Sequence, residues 1–385
     1  MAVYLDNNAT TALDEEVLQA MLPYMGQVTG NPSSVHRFGR LQKDAIEQAR
    51  ESVAQLVGAR AEQVVFTSGG TESNNLLLNG FSQRLAVQKT CGRIALSAIE
   101  HMSLLEPAQH LWLAVDSIAV DENGSINLQA VEQVMSEQTS LISVMAANNE
   151  TGVIQKLSPL VDLARQANCF FHTDASQAAG KIPLNFAESG VHAMTLSAHK
   201  FYGPVGVGAL VIDKQLPISK IQFGGLQEKN LRAGTENVPA IVGFGKAAEL
   251  ALFDLQKRRL HVLALRETLE RGLKKISAVT IFAEKANRLA NTVQFGVKGF
   301  DGETLLMQLD RKAIAVSSGS ACTSGKTEAS HVLKAMKVPD VLANSAIRVS
   351  LGKNNTMSDV ETLLAALRDI IEINQHSPVM MAANV

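Results

Sequence analysis

The sequence predicts an α/β protein, in which a large domain with a mostly parallel sheet covered by helices precedes a smaller α+β domain. Two observations carry this prediction. Short apolar runs recur through residues 64–212 of the 385-residue chain, and helical stretches separate several of them. Such runs are typical of strands buried on both faces, and strands that alternate with helices pair in parallel. Each run also leads into a polar segment, which is the second observation.

The polar segments indicate where a ligand would bind. Ligands of open α/β sheets bind beyond the carboxyl ends of the strands. We therefore expect five strand ends to bring their polar side chains to one crevice. The runs and the segments after them are Val64–Phe66 before Thr67–Thr71, Ile94–Leu96 before Glu100–His101, Leu141–Met145 before Asn148–Glu150, Phe170–Phe171 before Asp174 and Gln177, and Ala193–Leu196 before Ser197–Lys200.

Two helices precede the first of these strands, and one more strand follows the last. Asp14 can cap a helix over residues 15–25, whose first turn begins with two glutamates. Apolar residues recur at helical spacing from Leu41 to Val57, so a second helix is predicted to end at Gly58. The apolar run over residues 206–212 predicts the further strand.

A long helix over residues 237–275 is predicted to link two domains. Asn237 and Pro239 begin it, and the leucines and valine of its second half recur at helical spacing. Short strands then alternate with helices, which indicates an α+β domain. We expect residues 13–255 to form the large domain and residues 1–12 and 256–385 the small one. The predicted elements of the small domain are strands over 289–297, 313–318 and 346–351 and helices over 303–309 and 358–371.

The composition excludes several classes of function. Net charge is −2 with acids and bases interspersed, so no basic footprint for nucleic acid is present. No apolar run reaches the roughly 18 residues of a membrane helix, and no signal peptide is expected at the N-terminus. Three cysteines are too few for a disulfide framework, and neither CxxC nor HExxH spacing occurs, so no metal site is expected. These features predict a protein of the reducing cytoplasm.

Lys200 and Asp174 together predict the cofactor pyridoxal phosphate. A lysine is usually solvated and an aspartate is often a helix cap, but both residues here follow buried strands. A lysine amine in that setting can form a Schiff base with an aldehyde. A carboxylate at a neighbouring strand end can keep the pyridine nitrogen protonated, which makes the ring an electron sink.

Further residues fit the same cofactor. The Gly-Gly pair ending at Gly70 lies between a strand and a predicted helix, where backbone amides favour an anion. Thr71, Ser197 and His199 would add hydroxyl and imidazole donors. His101 is either an ordinary strand-end histidine or a residue that stacks on the ring and exchanges protons.

Cys322 and Arg348 are the candidates for substrate chemistry. Cys322 lies in a loop rich in glycine and serine, where it is either an ordinary loop cysteine or an accessible nucleophile. Arg348 lies inside an apolar strand, although arginine is rarely buried without a partner. It is either one half of an internal salt bridge or a bidentate clamp for a substrate carboxylate.

The motifs, taken in order, resemble those of one family. The chain is similar to the NifS/IscS-type cysteine desulfurases, which are class V aminotransferases of the PLP-dependent transferase fold type I. The resemblance covers nearly the whole chain. The matching segments are Tyr4–Thr11, Gly30–Ser34, Thr67–Asn74, Glu100–His101, Asn148–Gly152, His172–Asp174, Ser197–Lys200, Arg232–Asn237 and Ser317–Gly325.

This resemblance implies a role for each site residue. Lys200 would carry the cofactor, His101 would stack on its ring, Asp174 would pair with the ring nitrogen and Gln177 with the ring hydroxyl. Gly70, Thr71, Ser197 and His199 would hold the phosphate. Thr235 would reach the phosphate of the other subunit, which implies a homodimer with shared active sites. Asn149 and Arg348 would bind the substrate carboxylate.

The resemblance also implies the reaction. Lys200 would move the α-proton of L-cysteine, with His101 as a partner in proton transfer, and the Cys322 thiolate would attack the substrate sulfur. Alanine would leave, and the persulfide on Cys322 would pass to an acceptor protein in iron-sulfur cluster assembly or thiolation. The alternatives are a selenocysteine lyase, another lyase or aminotransferase of the same fold, and an inactive relative that serves as a partner protein.

Overall fold

The computed structural model describes residues 2–136, 138–318 and 329–375. Its strands are β1 (Val3–Tyr4), β2 (Val64–Thr67), β3 (Arg93–Ser97), β4 (Ala114–Ile118), β5 (Thr139–Ser143), β6 (Phe170–Asp174), β7 (Ala193–Ser197), β8 (Gly208–Ile212), β9 (Val279–Ile281), β10 (Thr292–Val297), β11 (Ile314–Ala315), β12 (Ser317–Ser318) and β13 (Ala346–Ser350). Its α-helices are α1 (Glu15–Leu22), α2 (Arg37–Leu56), α3 (Gly70–Gln88), α4 (Met102–Ala108), α5 (Leu128–Val134), α6 (Leu157–Gln166), α7 (Phe186–Ser189), α8 (Gln227–Asn230), α9 (Val238–Leu273), α10 (Gly302–Arg311), α11 (His331–Ala335), α12 (Asp340–Ala343) and α13 (Met357–Gln375).

The largest sheet has seven strands in the spatial order β2-β8-β7-β6-β5-β3-β4. Strand β8 runs antiparallel to both of its neighbours, and the other pairings are parallel. The mostly parallel sheet predicted from the sequence is therefore confirmed. Because parallel strands point the same way, the carboxyl ends of β3, β5, β6 and β7 lie at one edge.

Both faces of this sheet are buried. In β2, Val64 and Phe66 pack in one apolar core while Val65 packs in another on the opposite face. In β5, Ile142 and Leu141 divide between the same two cores. Successive side chains of a strand point to opposite faces, so a continuous apolar run is what a sheet covered by helices on both sides requires.

A third core forms around a smaller antiparallel sheet with the order β12-β13-β10-β9. The second half of α9 packs there through Leu265 and Leu269, whereas the first half of this helix packs in the core that contains Val64. Val3 and Leu5 of the N-terminal segment also belong to the third core. On that ground we propose the division into residues 13–255 and residues 1–12 with 256–385.

The structure departs from the sequence prediction at several elements. The first helix ends at Leu22, and Pro23 begins a π-helical turn that extends to Gln27. The strand predicted over 313–318 is two strands, because β11 pairs with β1 and β12 pairs with β13. Strand β4 was not predicted, since it is a partly exposed edge strand with no apolar run. Among the described residues we find no helix with both the length and the hydrophobicity of a membrane span.

Candidate active site

A crevice of about 360 Å³ lies at the carboxyl edge of the large sheet, where side chains from several strand ends meet. The N-terminal segment and the small antiparallel sheet close its other side, through Asp6, Asn8, Ser317 and Ser318. The predicted site residues that line it are Gly70, Thr71, His101, Asn149, Asp174, Gln177, Ser197, His199, Lys200 and Arg348. The convergence expected from the sequence is thus present in the structure.

Lys200 ends a short 3-10 turn that directly follows β7. Its Nζ atom donates hydrogen bonds to the carbonyl oxygens of Asn8 and Ala9, each at 2.8 Å. Tyr202, two residues later, has a φ of +72°, and this left-handed conformation turns the chain away from the crevice. The amine is therefore held at the crevice by the N-terminal segment, which lies far from it in sequence.

A chain of hydrogen bonds connects Asp174 to His101. Asn74 donates through Nδ2 to Oδ2 of Asp174 at 2.9 Å and to the hydroxyl of Ser103 at 2.8 Å. The Ser103 hydroxyl lies 2.8 Å from Nδ1 of His101. The second oxygen of Asp174 accepts the backbone amide of Ser176. Sequence analysis assigned no role to Asn74 or Ser103, although Asn74 belongs to one of the matching motifs.

These contacts also fix the tautomer of His101. The backbone amide of Ser103 donates to Nδ1 at 3.1 Å, so the proton of the neutral ring lies on Nε2. Burial lowers the pKa of His101, the charge of Asp174 opposes this change, and the charges of Lys200 and His331 lower the pKa further. The ring is therefore neutral at physiological pH, with Nε2–H as its donor.

The N-terminus of α3 forms an anion cradle in the crevice. Gly69 precedes this 19-residue helix, and no side chain of the described residues caps its first amides. A Cβ atom on Gly70 would lie 3.1 Å from the hydroxyl of Ser176, which shows how closely the backbone approaches the crevice wall. Ser197 and His199 line the same space. Free amides at the positive end of a helix favour an anion.

Lys181, a residue that sequence analysis did not single out, fixes the position of Gln177 by a hydrogen bond. Nζ of Lys181 donates to Oε1 of Gln177 at 2.6 Å and to Oδ1 of Asn8 at 2.9 Å. Nε2 of Gln177 donates to the carbonyl of Asn8 at 2.9 Å. Burial lowers the pKa of Lys181 well below its ordinary value, and the charges of Lys200 and Arg348 lower it further.

Arg348 combines the two alternatives that the sequence left open. Its Nη2 donates to Oδ1 of Asp6 at 2.7 Å, and its Nη1 donates to the carbonyl of Asn149 at 3.2 Å. The internal salt bridge therefore exists. The Nε atom is nevertheless buried without a hydrogen-bond partner among the described residues, and the side chain lines the crevice. The positive charge of this lining side chain favours an anion in the crevice.

Glu100 is a buried acid beside the crevice. Its Oε1 accepts hydrogen bonds from the Ser97 hydroxyl and the Met145 amide, both at 2.6 Å. Burial raises the pKa of Glu100 to about 8, the bond from Ser97 opposes the shift, and the charge of Asp174 adds to it. The carboxyl group is therefore mostly protonated at pH 7.

We predict that Glu100→Gln makes the protein more stable than the wild type at pH 9 but not at pH 5. Because folding raises the pKa of Glu100, its contribution to stability is complete below the unfolded value and is lost as pH rises through about 8. One proton changes the free energy of unfolding by at most about 1.4 kcal/mol per pH unit. Urea unfolding of the variant and the wild type at both pH values measures the difference in their free energies of unfolding. The same difference at pH 5 and at pH 9 would contradict the prediction.

Comparison with known proteins agrees with this geometry. Residues 3–363 match the pattern of the class-V aminotransferase family. A cysteine desulfurase IscS of Dictyoglomus turgidum is 43% identical over 374 residues, covering 96% of this chain and 94% of the relative. A cysteine desulfurase of Cereibacter sphaeroides is 43% identical over 377 residues, covering 96% of each chain. This chain belongs to the cysteine desulfurases of the class-V aminotransferase family.

Solved structures support the membership of the chain in this cysteine desulfurase family. A NifS-like protein superposes with a TM-score of 0.91 at 36% identity, covering 97% of this chain and 100% of the other. SspA in complex with cysteine superposes with a TM-score of 0.80 at 29% identity, covering 92% of this chain and 100% of the other. The fold predicted from the sequence is therefore confirmed.

One predicted site residue lies away from the crevice, and another lies outside the described residues. Thr235 lines a separate cavity together with Ser68 and Arg232, so the chain does not bring it to its own crevice. Cys322 lies outside the described residues. The residues on either side of that gap do contact the site, because Ser318 lines the crevice and Ser330 donates to Oε2 of Glu150 at 2.5 Å.

Proposed function

We propose that this protein is a cysteine desulfurase, which takes sulfur from L-cysteine and releases L-alanine. The observation that carries the proposal is the crevice in which Lys200, Asp174 and Arg348 meet. An amine, an acid and a guanidinium group in one crevice provide for a cofactor and for an amino-acid carboxylate. Full-length relatives named cysteine desulfurase and a structural neighbour that binds cysteine support the same substrate.

The crevice fits pyridoxal phosphate, which we propose as its cofactor. The uncapped amides of Gly70 and Thr71 suit a phosphate, and the hydroxyl of Ser197 lines the same end. Asp174 suits a protonated ring nitrogen, and Asn74 and the Ser176 amide hold its two oxygens in place. When bound, the cofactor would supply an electron sink for charge that develops at the substrate α-carbon.

Lys200 would remove and return the proton at the substrate α-carbon. Its amine lies at the crevice, where the carbonyls of Asn8 and Ala9 orient it. The neutral ring of His101 would carry its proton on Nε2, because the amide and hydroxyl of Ser103 occupy Nδ1. The lowered pKa of His101 keeps this ring neutral, so its Nε2–H group can donate a hydrogen bond to the thiolate of the substrate or of Cys322.

Cys322 would take the sulfur. Its thiolate would attack the substrate Sγ, the bond from Cβ to Sγ would break, and the enzyme would hold a persulfide while the carbon skeleton leaves as alanine. No external oxidant is needed, because the electron pair of the broken bond stays with Cβ, which takes up a proton and becomes the methyl group of alanine. Ser318 lines the crevice and Ser330 donates to the crevice residue Glu150, which supports the assignment.

A single-turnover reaction of the purified, cofactor-loaded protein with L-cysteine tests this function. Without reductant, we expect one alanine per site and a mass gain of one sulfur atom on the peptide that contains Cys322. Cys322→Ser should release no alanine under the same conditions. Pyruvate as product, or alanine formed by Cys322→Ser at the wild-type rate, would assign the chain to lyases that do not need this thiol.

We predict that Arg348→Met weakens L-cysteine binding by about 1.5–3 kcal/mol, the usual contribution of a charged hydrogen bond. The guanidinium group of Arg348 lines the crevice, where it would form a charged hydrogen bond with the substrate carboxylate. Steady-state kinetics should show the loss mainly in KM. An unchanged KM together with a lower unfolding temperature would mean that Arg348 serves only its salt bridge with Asp6.

We predict that Lys181→Met lowers kcat about 10-fold or more and leaves KM nearly unchanged. The change removes two hydrogen bonds that hold Gln177 and Asn8, and at about 0.5–1.5 kcal/mol each they are together equivalent to a factor of about ten. Lys181 itself does not line the crevice, so contact with the substrate is retained. Lys181→Arg keeps N–H donors at this position and should recover part of the rate. Equal losses of kcat in both variants would contradict the role of these hydrogen bonds.

We further propose a two-fold homodimer, sulfur transfer to an acceptor protein, and a cytoplasmic location. The separate cavity around Thr235 supports the first point, because this threonine can serve a site other than that of its own chain. A persulfide is useful only if an acceptor receives it, in iron-sulfur cluster assembly or in thiolation. The reaction also needs a reduced Cys322, which a reducing compartment provides.

A further inference from the structure

Asn8 is the residue at which the N-terminal segment joins the two walls of the crevice, and it is only 1% exposed. Its Oδ1 accepts hydrogen bonds from Nζ of Lys181 at 2.9 Å and from Nδ2 of Asn291 at 3.0 Å. Its Nδ2 donates to the carbonyl of Asn149 at 3.2 Å and to Oγ1 of Thr292 at 2.9 Å. An amide side chain has two acceptor sites and two donors, so all of them are used here.

The partners of this side chain come from opposite sides of the crevice. Asn149 and Lys181 lie in segments that follow strands β5 and β6 of the large sheet. Asn291 directly precedes strand β10 of the small sheet, and Thr292 begins that strand. The side chain of Asn8 therefore connects the two sheets where they face each other across the crevice.

The backbone of Asn8 makes the same connection. Its carbonyl accepts Nζ of Lys200 at 2.8 Å and Nε2 of Gln177 at 2.9 Å, both on the side of the large sheet. Its amide donates at 2.8 Å to Oγ of Ser350, the last residue of β13 in the small sheet. Side chain and backbone together thus fix Asn8 to both walls.

The two groups that would act at the substrate α-carbon lie on either side of this connection. Arg348, in β13, would bind the substrate carboxylate, and Lys200, which follows β7, would move the α-proton. The carbonyl of Asn149 accepts Nη1 of Arg348 as well as Nδ2 of Asn8. Because the carboxylate is bonded directly to the α-carbon, the distance between Arg348 and Lys200 decides whether the α-proton faces the amine.

We propose that Asn8 is a positioning residue, which aligns the α-proton of the substrate with the Lys200 amine by fixing the small sheet to the large sheet at the crevice. Asn8 transfers no proton itself, and it acts only through the groups that it holds. The proposal rests on the cysteine desulfurase function proposed above. A misplacement of about 1 Å can lower a rate about 100-fold, so a loosened connection is sufficient to slow proton transfer.

Exchange of the α-proton of L-alanine in heavy water, followed by NMR on the cofactor-loaded enzyme, tests this role. L-Alanine has the carboxylate and the α-proton of the substrate but no sulfur, so its exchange does not depend on Cys322. Asn8→Ala removes the side-chain connection and keeps the backbone bonds to Lys200 and Gln177. We expect exchange at saturating L-alanine to slow at least about 10-fold. Calorimetry should show nearly unchanged affinity for L-alanine, because Arg348 is retained.

Two further variants separate alignment from stability. Thr292→Val removes the small-sheet partner of Nδ2 without changing a residue that lines the crevice, and it should also slow exchange. Asn7→Ala is the matched control, because the buried Asn7 donates through Nδ2 to Ser350 and Asn355, both on the side of the small sheet. This control should lower the unfolding temperature but keep the wild-type exchange rate.

The outcomes distinguish this inference from the proposed function. Equal exchange rates in Asn8→Ala and Asn7→Ala would overturn the role of Asn8 and leave the proposed function intact. Slowing in Asn8→Ala without slowing in Thr292→Val would place the effect on the side of Lys181 and would overturn it too. A wild type that exchanges no α-proton would refute the proposed function and this inference with it. Unfolding temperatures show which variants are folded, and Thr292→Val keeps the test open if Asn8→Ala is not.

Discussion

Replacing Lys200 with alanine is expected to abolish the visible absorbance band of the cofactor and to lower kcat by about 10³-fold or more. The amine is the group that the proposed cofactor would bond to and the group that would move the α-proton, so both functions are lost together. Absorbance of the purified variant and alanine release from L-cysteine measure the two effects.

The matched control is the exposed Lys214, which lies in the turn after β8. Lys214→Ala should keep the wild-type band and rate. If Lys200→Ala retained the band, another amine would carry the cofactor, and Lys181 would be the first candidate because it lies in the same network around Asn8 and Gln177. That outcome would refute the assignment of Lys200 without changing the fold.

Glu228→Gln is expected to destabilise the folded protein by up to about 3–5 kcal/mol, the cost of breaking a buried ion pair, because Arg50 would keep only the half-exposed Glu47 as an acidic partner, at 3.2 Å. Glu228 and Arg50 form two parallel bonds of 2.7 Å, and their side chains are 1% and 7% exposed. Glu228 also accepts the backbone amide of Phe66. Glutamine keeps the shape of the side chain and can adopt the same φ of +42°, but its amide nitrogen replaces one acceptor, so the change removes the charge and at least one hydrogen bond together.

Urea unfolding measures this effect, with Glu62→Gln as the control. Glu62 pairs with Arg60 on the surface, where the side chains are 71% and 60% exposed. An exposed pair of this kind contributes about 0–1 kcal/mol, so the control should unfold close to the wild type. Equal effects of the two substitutions would show that burial adds nothing to the pair between Arg50 and Glu228.

The residues at the strand ends could be predicted from the sequence. The apolar runs before Asp174 and Lys200 are local, and a strand buried on both faces needs such a run whatever its neighbours are. The direction of parallel strands then brings both residues to one edge. Strand β4 was missed for the same reason, since an edge strand is covered on fewer sides and its sequence carries less signal.

The fold class, the family and most of the crevice residues could be predicted from the amino-acid sequence, because apolar periodicity and motif spacing are properties of neighbouring positions. The residues that fix the crevice side chains in place became visible only in the folded chain. Asn74 reaches Asp174 across 100 positions, Lys200 reaches Asn8 across 192, and Arg50 reaches Glu228 across 178. Hydrogen bonds and ion pairs act over a few ångströms in space, so their partners are set by the packing of the whole chain.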